Sequence, residues 1–146
     1  MPKPDSDMLT KSDFEALSGF RFQLRRFERF SENAVQAHGI TPLQYLLLLH
    51  IKGYPGRDFA SVGELAERLQ AKPHGVVALV SRCEANGYVQ RLQSASDKRQ
   101  VEVHLLPDGE RLLTQLAELH RTELRSLAGV FSIPAIQKTG GPSAKK

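Results

Sequence analysis

Two clusters of side chains in this sequence are equipped for chemistry, and both suit the holding of an anion better than the breaking of a bond. The first is Lys72, Pro73, His74, Gly75, Val77, Ala78, Ser81 and Arg82, which gathers cations, an imidazole, a hydroxyl and small apolar groups in one short stretch. The second is Arg91 followed by the polar run Ser94-Ala95-Ser96-Asp97-Lys98-Arg99. Ammonium and guanidinium groups bind phosphate or carboxylate oxygens, and a guanidinium forks onto two acceptors at once. Bond-breaking chemistry has no comparable support. The 5 histidines show no metal-ligand spacing, no Gly-rich phosphate loop is present, and no nucleophile stands at a spacing that argues for a neighbouring base. The sequence therefore argues against an enzyme and calls for no metal and no cofactor.

Size and composition fit that reading. With 146 residues, 40% apolar and 25% charged, the chain matches ordinary globular usage and one domain with a real core. The net charge of +4 and pI of about 9.4 favour an anionic partner, although an excess this modest is not specific. No apolar run approaches the roughly 20 residues that span a bilayer, and the start, Met1 to Met8, is polar and lacks a signal-peptide core, so a cytoplasmic protein without membrane contact is expected. One cysteine, Cys83, excludes an internal disulfide or a multi-cysteine metal site.

The elements that must position the two clusters are legible from caps and periodicity. Ser12 and Glu15 have the spacing of a capping box, and Leu17, Phe20, Leu24, Phe27 and Ala34, widened by Phe22 and Phe30, form a helical stripe ending at His38 before Gly39. Such a helix is about 39 Å long, and its broad aromatic face asks for cover from a second chain. Thr41-Pro42-Leu43-Gln44 opens a second helix, apolar nearly all round, that ends at Gly53, Pro55 and Gly56. His50 on this helix either faces a pocket or, as the more ordinary arrangement, bonds to backbone. Phe59-Ala60 reads as a very short strand. Ser61 and Glu64 start a short helix, and after a turn at Gln70-Ala71 another begins with Pro73 and ends at Asn86-Gly87, with Val76, Leu79, Val80 and Cys83 inward. Two short helices joined by a tight turn are a helix-turn-helix, here over 61–87. Tyr88 to Leu92 and Val101 to Leu105 have strand composition and form a hairpin wing over 88–105 with the basic run at its tip. Pro107, Asp108 and Glu110 begin a last helix, amphipathic through Leu112, Leu116, Leu119 and Leu127 to about Phe131. The expected fold is mainly α with a small β-wing: a winged helix-turn-helix domain over 12–132, flanked by long N- and C-terminal helices, then a flexible tail over 133–146.

Within this order, Ile40-Thr41-Pro42-Leu43-Gln44, Glu64-Leu65-Ala66-Glu67-Arg68-Leu69, Leu79-Val80-Ser81-Arg82-Cys83-Glu84, Gly87-Tyr88-Val89-Gln90-Arg91 and Asp97-Lys98-Arg99 resemble the signature segments of the MarR family. The resemblance implies a transcription regulator, a repressor by preference, that binds a palindromic operator in double-stranded DNA. It implies a homodimer made by the first and last helices, and a small aromatic or phenolic effector whose identity and site the sequence leaves open. The helix opened by Lys72 and Pro73 would enter the major groove with His74, Gly75, Val77, Ala78, Ser81 and Arg82 facing the bases. Arg91, Ser96, Lys98 and Arg99 would lie on the wing, with Arg99 reaching into the minor groove and Asp97 holding the tip in shape. Three departures stand out: Leu106 replaces the usual threonine cap of the last helix, Ser81 replaces an acidic residue before Arg82, and the final family helix is cut to Ser132-Ile133-Pro134-Ala135-Ile136. Two other readings stay open. One is a winged-helix module for protein contacts without specific DNA binding, and the other is a redox-responsive regulator using Cys83, although the inward phase of Cys83 favours a packing thiol.

Overall fold

The computed structural model describes residues 8–130 and 133–135. Among them the order is α1 (Lys11–Ala37), α2 (Pro42–Lys52), β1 (Phe59–Ser61), α3 (Val62–Leu69), α4 (Pro73–Ala85), β2 (Val89–Gln93), β3 (Val101–Leu105) and α5 (Pro107–Ser126). The chain divides into two compact units, Ser31–Thr122 and a second one formed by the stretches before and after it.

In the unit Ser31–Thr122, α2 is central because its sequence is apolar on nearly every side. Tyr45, Leu47, Leu48 and Ile51 are all buried. Its start is the expected capping box: the Thr41 amide donates to Gln44 Oε1 (2.9 Å) and the Gln44 amide donates to Thr41 Oγ1 (3.2 Å). The same device opens α3, with the Ser61 amide on Glu64 Oε1 (2.8 Å) and the Glu64 amide on Ser61 Oγ (3.1 Å). Around α2 are Leu65 of α3, Val76, Val80 and Cys83 of α4, Val89 and Val103 of the sheet, and Leu113 and Leu116 of α5. The sheet is antiparallel in the order β1-β3-β2, with Val103 of the middle strand opposite Ala60 on one side and Arg91 on the other.

The start of α5 lies where the sequence puts it, although Leu106 supplies no hydroxyl cap. The Leu106 amide donates to the Tyr88 carbonyl instead (2.8 Å), and Gly109 meets that same carbonyl so closely that a Cβ would collide with it. Further along α5, His120 is buried and stacked on Tyr45 with ring centroids 4.6 Å apart. Its Nδ1 lies 2.7 Å from the Leu116 carbonyl, which only accepts, so Nδ1 donates there and Nε2 meets the Ser31 hydroxyl at 2.8 Å.

The second unit contains the beginning of α1 and the end of α5, and two boundaries here differ from the sequence reading. The box that starts α1 is Thr10 with Asp13, not Ser12 with Glu15: the Thr10 amide donates to Asp13 Oδ2 (2.9 Å) and the Asp13 amide to Thr10 Oγ1 (3.2 Å). Two overlapping Ser/Thr-x-x-acid patterns compete, and the earlier one adds helix and buries Asp13. At the other end α5 stops at Ser126, short of Phe131, and passes through turns in which Gly129 takes φ +82°. Phe131 itself and residues 136–146 of the expected tail lie outside the described residues. Phe14, Leu17 and Phe22 of α1 are exposed.

Candidate nucleic-acid interface

The geometry of α4 follows from its neighbours in sequence. Gln70 ends α3 in the left-handed region (φ 52°), and the Ala71 amide donates back to the Ala66 carbonyl (3.0 Å), turning the chain sharply. Pro73 then starts α4 with its φ already helical. Lys72 precedes it in extended conformation and makes no side-chain cap. The first-turn amides of His74 and Gly75 are thus uncapped by any side chain, at the positive end of the helix dipole.

One face of α4 is spent on the core and the other is open. Val76, Leu79, Val80 and Cys83 are buried, whereas Lys72, Pro73, His74, Gly75, Val77, Ala78, Ser81 and Arg82 are all exposed. Burial pushes the Cys83 thiol up to about 11, with Arg82 opposing weakly, so the reactive thiolate is scarce at neutral pH. That environment suits a packing thiol.

The wing tip is a small hydrogen-bonded structure. Ser94 is buried and its Oγ accepts from the amides of Ser96 (3.3 Å) and Asp97 (3.2 Å), while its own amide donates to the Gln100 carbonyl (3.0 Å). Asp97 Oδ1 accepts from the Arg99 amide (3.0 Å) and from Arg99 Nε (3.3 Å). Gln93 Nε2 donates to the Lys98 carbonyl (2.6 Å). Backbone and short polar side chains thereby hold each other, leaving Lys98 and Ser96 exposed and the Arg99 side chain 91% exposed.

Arg91 behaves differently from the other cations of the sequence-derived set. Its guanidinium is engaged within the chain by Glu84, Ser81 and the Val77 carbonyl, so Arg91 is half-buried and bonded to α4 while Ser81 itself stays exposed. The roles of Glu84, Ser94 and Gly109 were not read from the sequence, although Glu84 and Ser94 lie in segments it singled out. For Ser94 the signal was present, since Ser two and three residues before polar turn residues is a turn-former. Glu84 and Arg91 meet across a turn and a change from helix to strand, where no periodicity applies. His50 also departs from expectation: it is half-buried, burial and then Arg68 lower its pKa, and no bond to backbone is found for it among the described residues. His38 and His120 are the histidines that meet helix carbonyls.

Arg57 anchors β1 by stacking on Tyr54 (4.4 Å) and Phe59 (4.8 Å) and pairing with Glu64. Burial raises the Glu64 carboxyl, but the Ser61 amide and Arg57 together outweigh it and the pKa falls. Among the described residues no cluster of three or more His, Cys, Asp or Glu is placed to hold a metal, and no helix is long and apolar enough to cross a membrane.

A helix-turn-helix followed by a two-stranded wing, with an outward polar helix face and an exposed cationic tip, defines a winged helix-turn-helix protein. Residues 38–100 match the MarR family model. It is 30% identical over 95 residues to the uncharacterized HTH-type transcriptional regulator YsmB of Bacillus subtilis, a match taking in 65% of this chain and 63% of that protein's length. In fold it is similar to a MarR family protein from Bacillus stearothermophilus, with TM-score 0.72, 24% identity, and 86% and 85% of the two chains covered. It is also similar to a mutant MarR from E. coli solved in complex with operator DNA, with TM-score 0.62, 23% identity, and 73% and 74% covered.

Proposed function

We propose that the protein is a non-catalytic transcriptional regulator that binds double-stranded DNA, as a homodimer on a palindromic operator, and represses transcription from it. The observation that carries this reading is the division of α4: its apolar face is consumed by the core, while Lys72, His74, Gly75, Val77, Ala78, Ser81 and Arg82 form an open face of cationic, polar and small apolar groups beginning at an uncapped N-terminus. A helix so presented enters a major groove, with its first-turn amides toward a phosphate oxygen and Lys72 and Arg82 toward the backbone or a guanine edge. Lys98 and Arg99 then grip the adjacent minor groove.

Dimerisation is supported by the second unit. Phe14, Leu17 and Phe22 leave large apolar side chains exposed on one side of α1, among charged residues. A second copy would cover these side chains, and two reading helices would then address half-sites about 34 Å apart. For an aromatic effector the support is a cavity of about 220 Å³ beside α4, lined by Leu43, Leu69, Val76, Leu79 and Arg82. An occupant bound unequally in the free and DNA-bound states would shift operator affinity.

The decisive experiment is a salt series on a random-sequence duplex. Affinity should fall steeply as log salt rises, because each phosphate contact releases counterions. A flat response would end the DNA reading and favour a protein-contact module. In the same assay Arg99→Ala should weaken specific and random DNA by similar factors, since a tip cation reads charge and groove shape more than base identity.

A further inference from the structure

We infer that Arg91 is a positioning residue: it clasps the root of the wing to α4 and sets how the tip cations meet the duplex, without contacting DNA itself. This inference rests on the DNA-binding reading above. Arg91 lies on β2, an edge strand of the sheet. Its amide donates to Glu84 Oε2 (3.2 Å), so a main-chain donor of the strand is held by a helix side chain. Its Nη1 donates to Glu84 Oε1 (2.5 Å), and its Nη2 donates to both Ser81 Oγ (2.7 Å) and the Val77 carbonyl (3.0 Å). Val77, Ser81 and Glu84 succeed one another along one side of α4, so a single planar guanidinium grips about two turns of the reading helix.

This arrangement is poor for binding a phosphate. The Arg91 side chain is only 28% exposed, and an arriving phosphate would stand beside the Glu84 carboxylate. Arg99, by contrast, is 91% exposed and bonded, among the described residues, to Asp97. An isolated surface ion pair contributes little to stability. A forked guanidinium bound to a carboxylate, a hydroxyl and a helix carbonyl, with the same carboxylate holding its amide, is geometrically specified and orients whatever it joins. What it joins is the hairpin whose far end carries Lys98 and Arg99, where a small rotation at the root becomes a larger displacement.

Electrostatics and positioning predict opposite signs for one substitution. Removing an acidic side chain near DNA strengthens binding if charge alone matters, and freeing Arg91 for a phosphate would add to that gain. If Glu84 and Arg91 form a clasp, Glu84→Ala weakens binding. The experiment measures affinity for a random duplex at fixed salt for Glu84→Ala, Arg91→Ala, Arg91→Lys and the Glu84→Ala/Arg91→Ala pair. The same substitutions are repeated in a Lys98→Ala/Arg99→Ala background, with thermal melts run on every variant to establish that each is folded at the assay temperature. Glu84→Ala and Arg91→Ala should each weaken binding by about tenfold, the equivalent of about 1.4 kcal/mol, and together by little more than either alone. Arg91→Lys should lose nearly as much, because an ammonium cannot reproduce the fork. In the background without tip cations the losses should shrink to within about twofold, since the clasp acts through the tip.

Tighter binding by Glu84→Ala, wild-type binding by Arg91→Lys, or full persistence of the Arg91→Ala loss without the tip cations would each overturn the clasp while leaving the DNA reading intact. If Glu84→Ala does not fold, Glu84→Gln carries the same sign test with an acceptor oxygen retained. A wild-type protein whose duplex binding ignores salt removes the DNA reading and the clasp together.

Discussion

Helices α2 and α4 begin alike and end in different roles. Each has proline at its first position, Pro42 and Pro73, and each is apolar along one side. Thr41 caps the first reciprocally with Gln44, so the amides at that end are satisfied within the protein, whereas Lys72 leaves the second uncapped. The rest of each helix follows the same division, since α2 leaves only Leu43 and Lys52 exposed whereas α4 exposes most of the residues outside its buried stripe of Val76, Leu79, Val80 and Cys83. A helix that meets its own polar requirements can serve as the centre of a core. One that leaves donors and cations on an open face gives up some stability and keeps a binding surface.

The largest effect expected from this contrast is in packing. Leu48→Ala, at a fully buried position of α2, should cost about 2–5 kcal/mol of unfolding free energy through lost transfer energy and a residual cavity. Val77→Ala on the open face of α4 should change stability by no more than about 0.5 kcal/mol while still altering DNA binding. Denaturant titrations of the two variants test this, and equal losses would erase the distinction between the helices.

The buried faces also set a pH dependence in which the two helices act together. Burial raises the Cys83 thiol on α4 to about 11, and raises the Tyr45 phenol on α2 above its ordinary value of 10.0. The unfolded chain gives up the thiol proton near 9.0, before the folded protein does, so the unfolded state is favoured as pH rises from there toward 11. Any stability from this source is complete below the unfolded value and declines through that window. The melting temperature of wild type relative to Cys83→Val should therefore be constant up to about pH 8.5 and fall above it. Parallel curves through pH 11 would exclude a contribution from the thiol.

Much of this contrast was legible in the sequence because it is local. A cap, a proline at the first turn and an apolar period of 3.6 each act within a few residues, which is why α2, α3, α4 and β3 begin and end close to where the residues say. Errors arose where two local signals overlapped or where partners came from different elements. Ser12/Glu15 and Thr10/Asp13 are the same pattern two residues apart, and only the fold chooses between them. The apolar period at Leu127 extends α5 on paper, yet the chain has already left the helix before Gly129 turns it. The open face of α4 could be read from the phase of its apolar residues, but Arg91 could not be separated from Arg99 by type or position. Their difference lies in Glu84, Ser81 and the Val77 carbonyl, which reach Arg91 only after the chain has turned back on itself.

A smaller effect is expected at the cap of α2. Thr41→Ala removes the acceptor for the Gln44 amide and breaks the reciprocal bond pair, at a cost of about 1 kcal/mol. Lys72→Ala has no cap to lose, so its unfolding free energy should lie within about 0.5 kcal/mol of wild type. Comparable losses at the two positions would mean that Lys72 supports its helix in some other way.

A modest change in stability is also the most direct test of why α4 is uncapped. Lys72→Ser places a hydroxyl at a position already in the extended conformation an N-cap requires (φ −78°, ψ 144°), followed by the same proline that follows Thr41. The new side chain should accept from a first-turn amide and stabilise the protein by up to about 1 kcal/mol, as cap residues do at ordinary helix starts. The same change removes a cation and occupies an amide that would otherwise face a phosphate, so affinity for random duplex should fall and its salt dependence should become shallower by about one phosphate contact. Opposite movement of stability and affinity is the signature of an end kept open for a ligand. If stability rises and duplex affinity is untouched, the uncapped start of α4 is an accident of sequence with no part in binding.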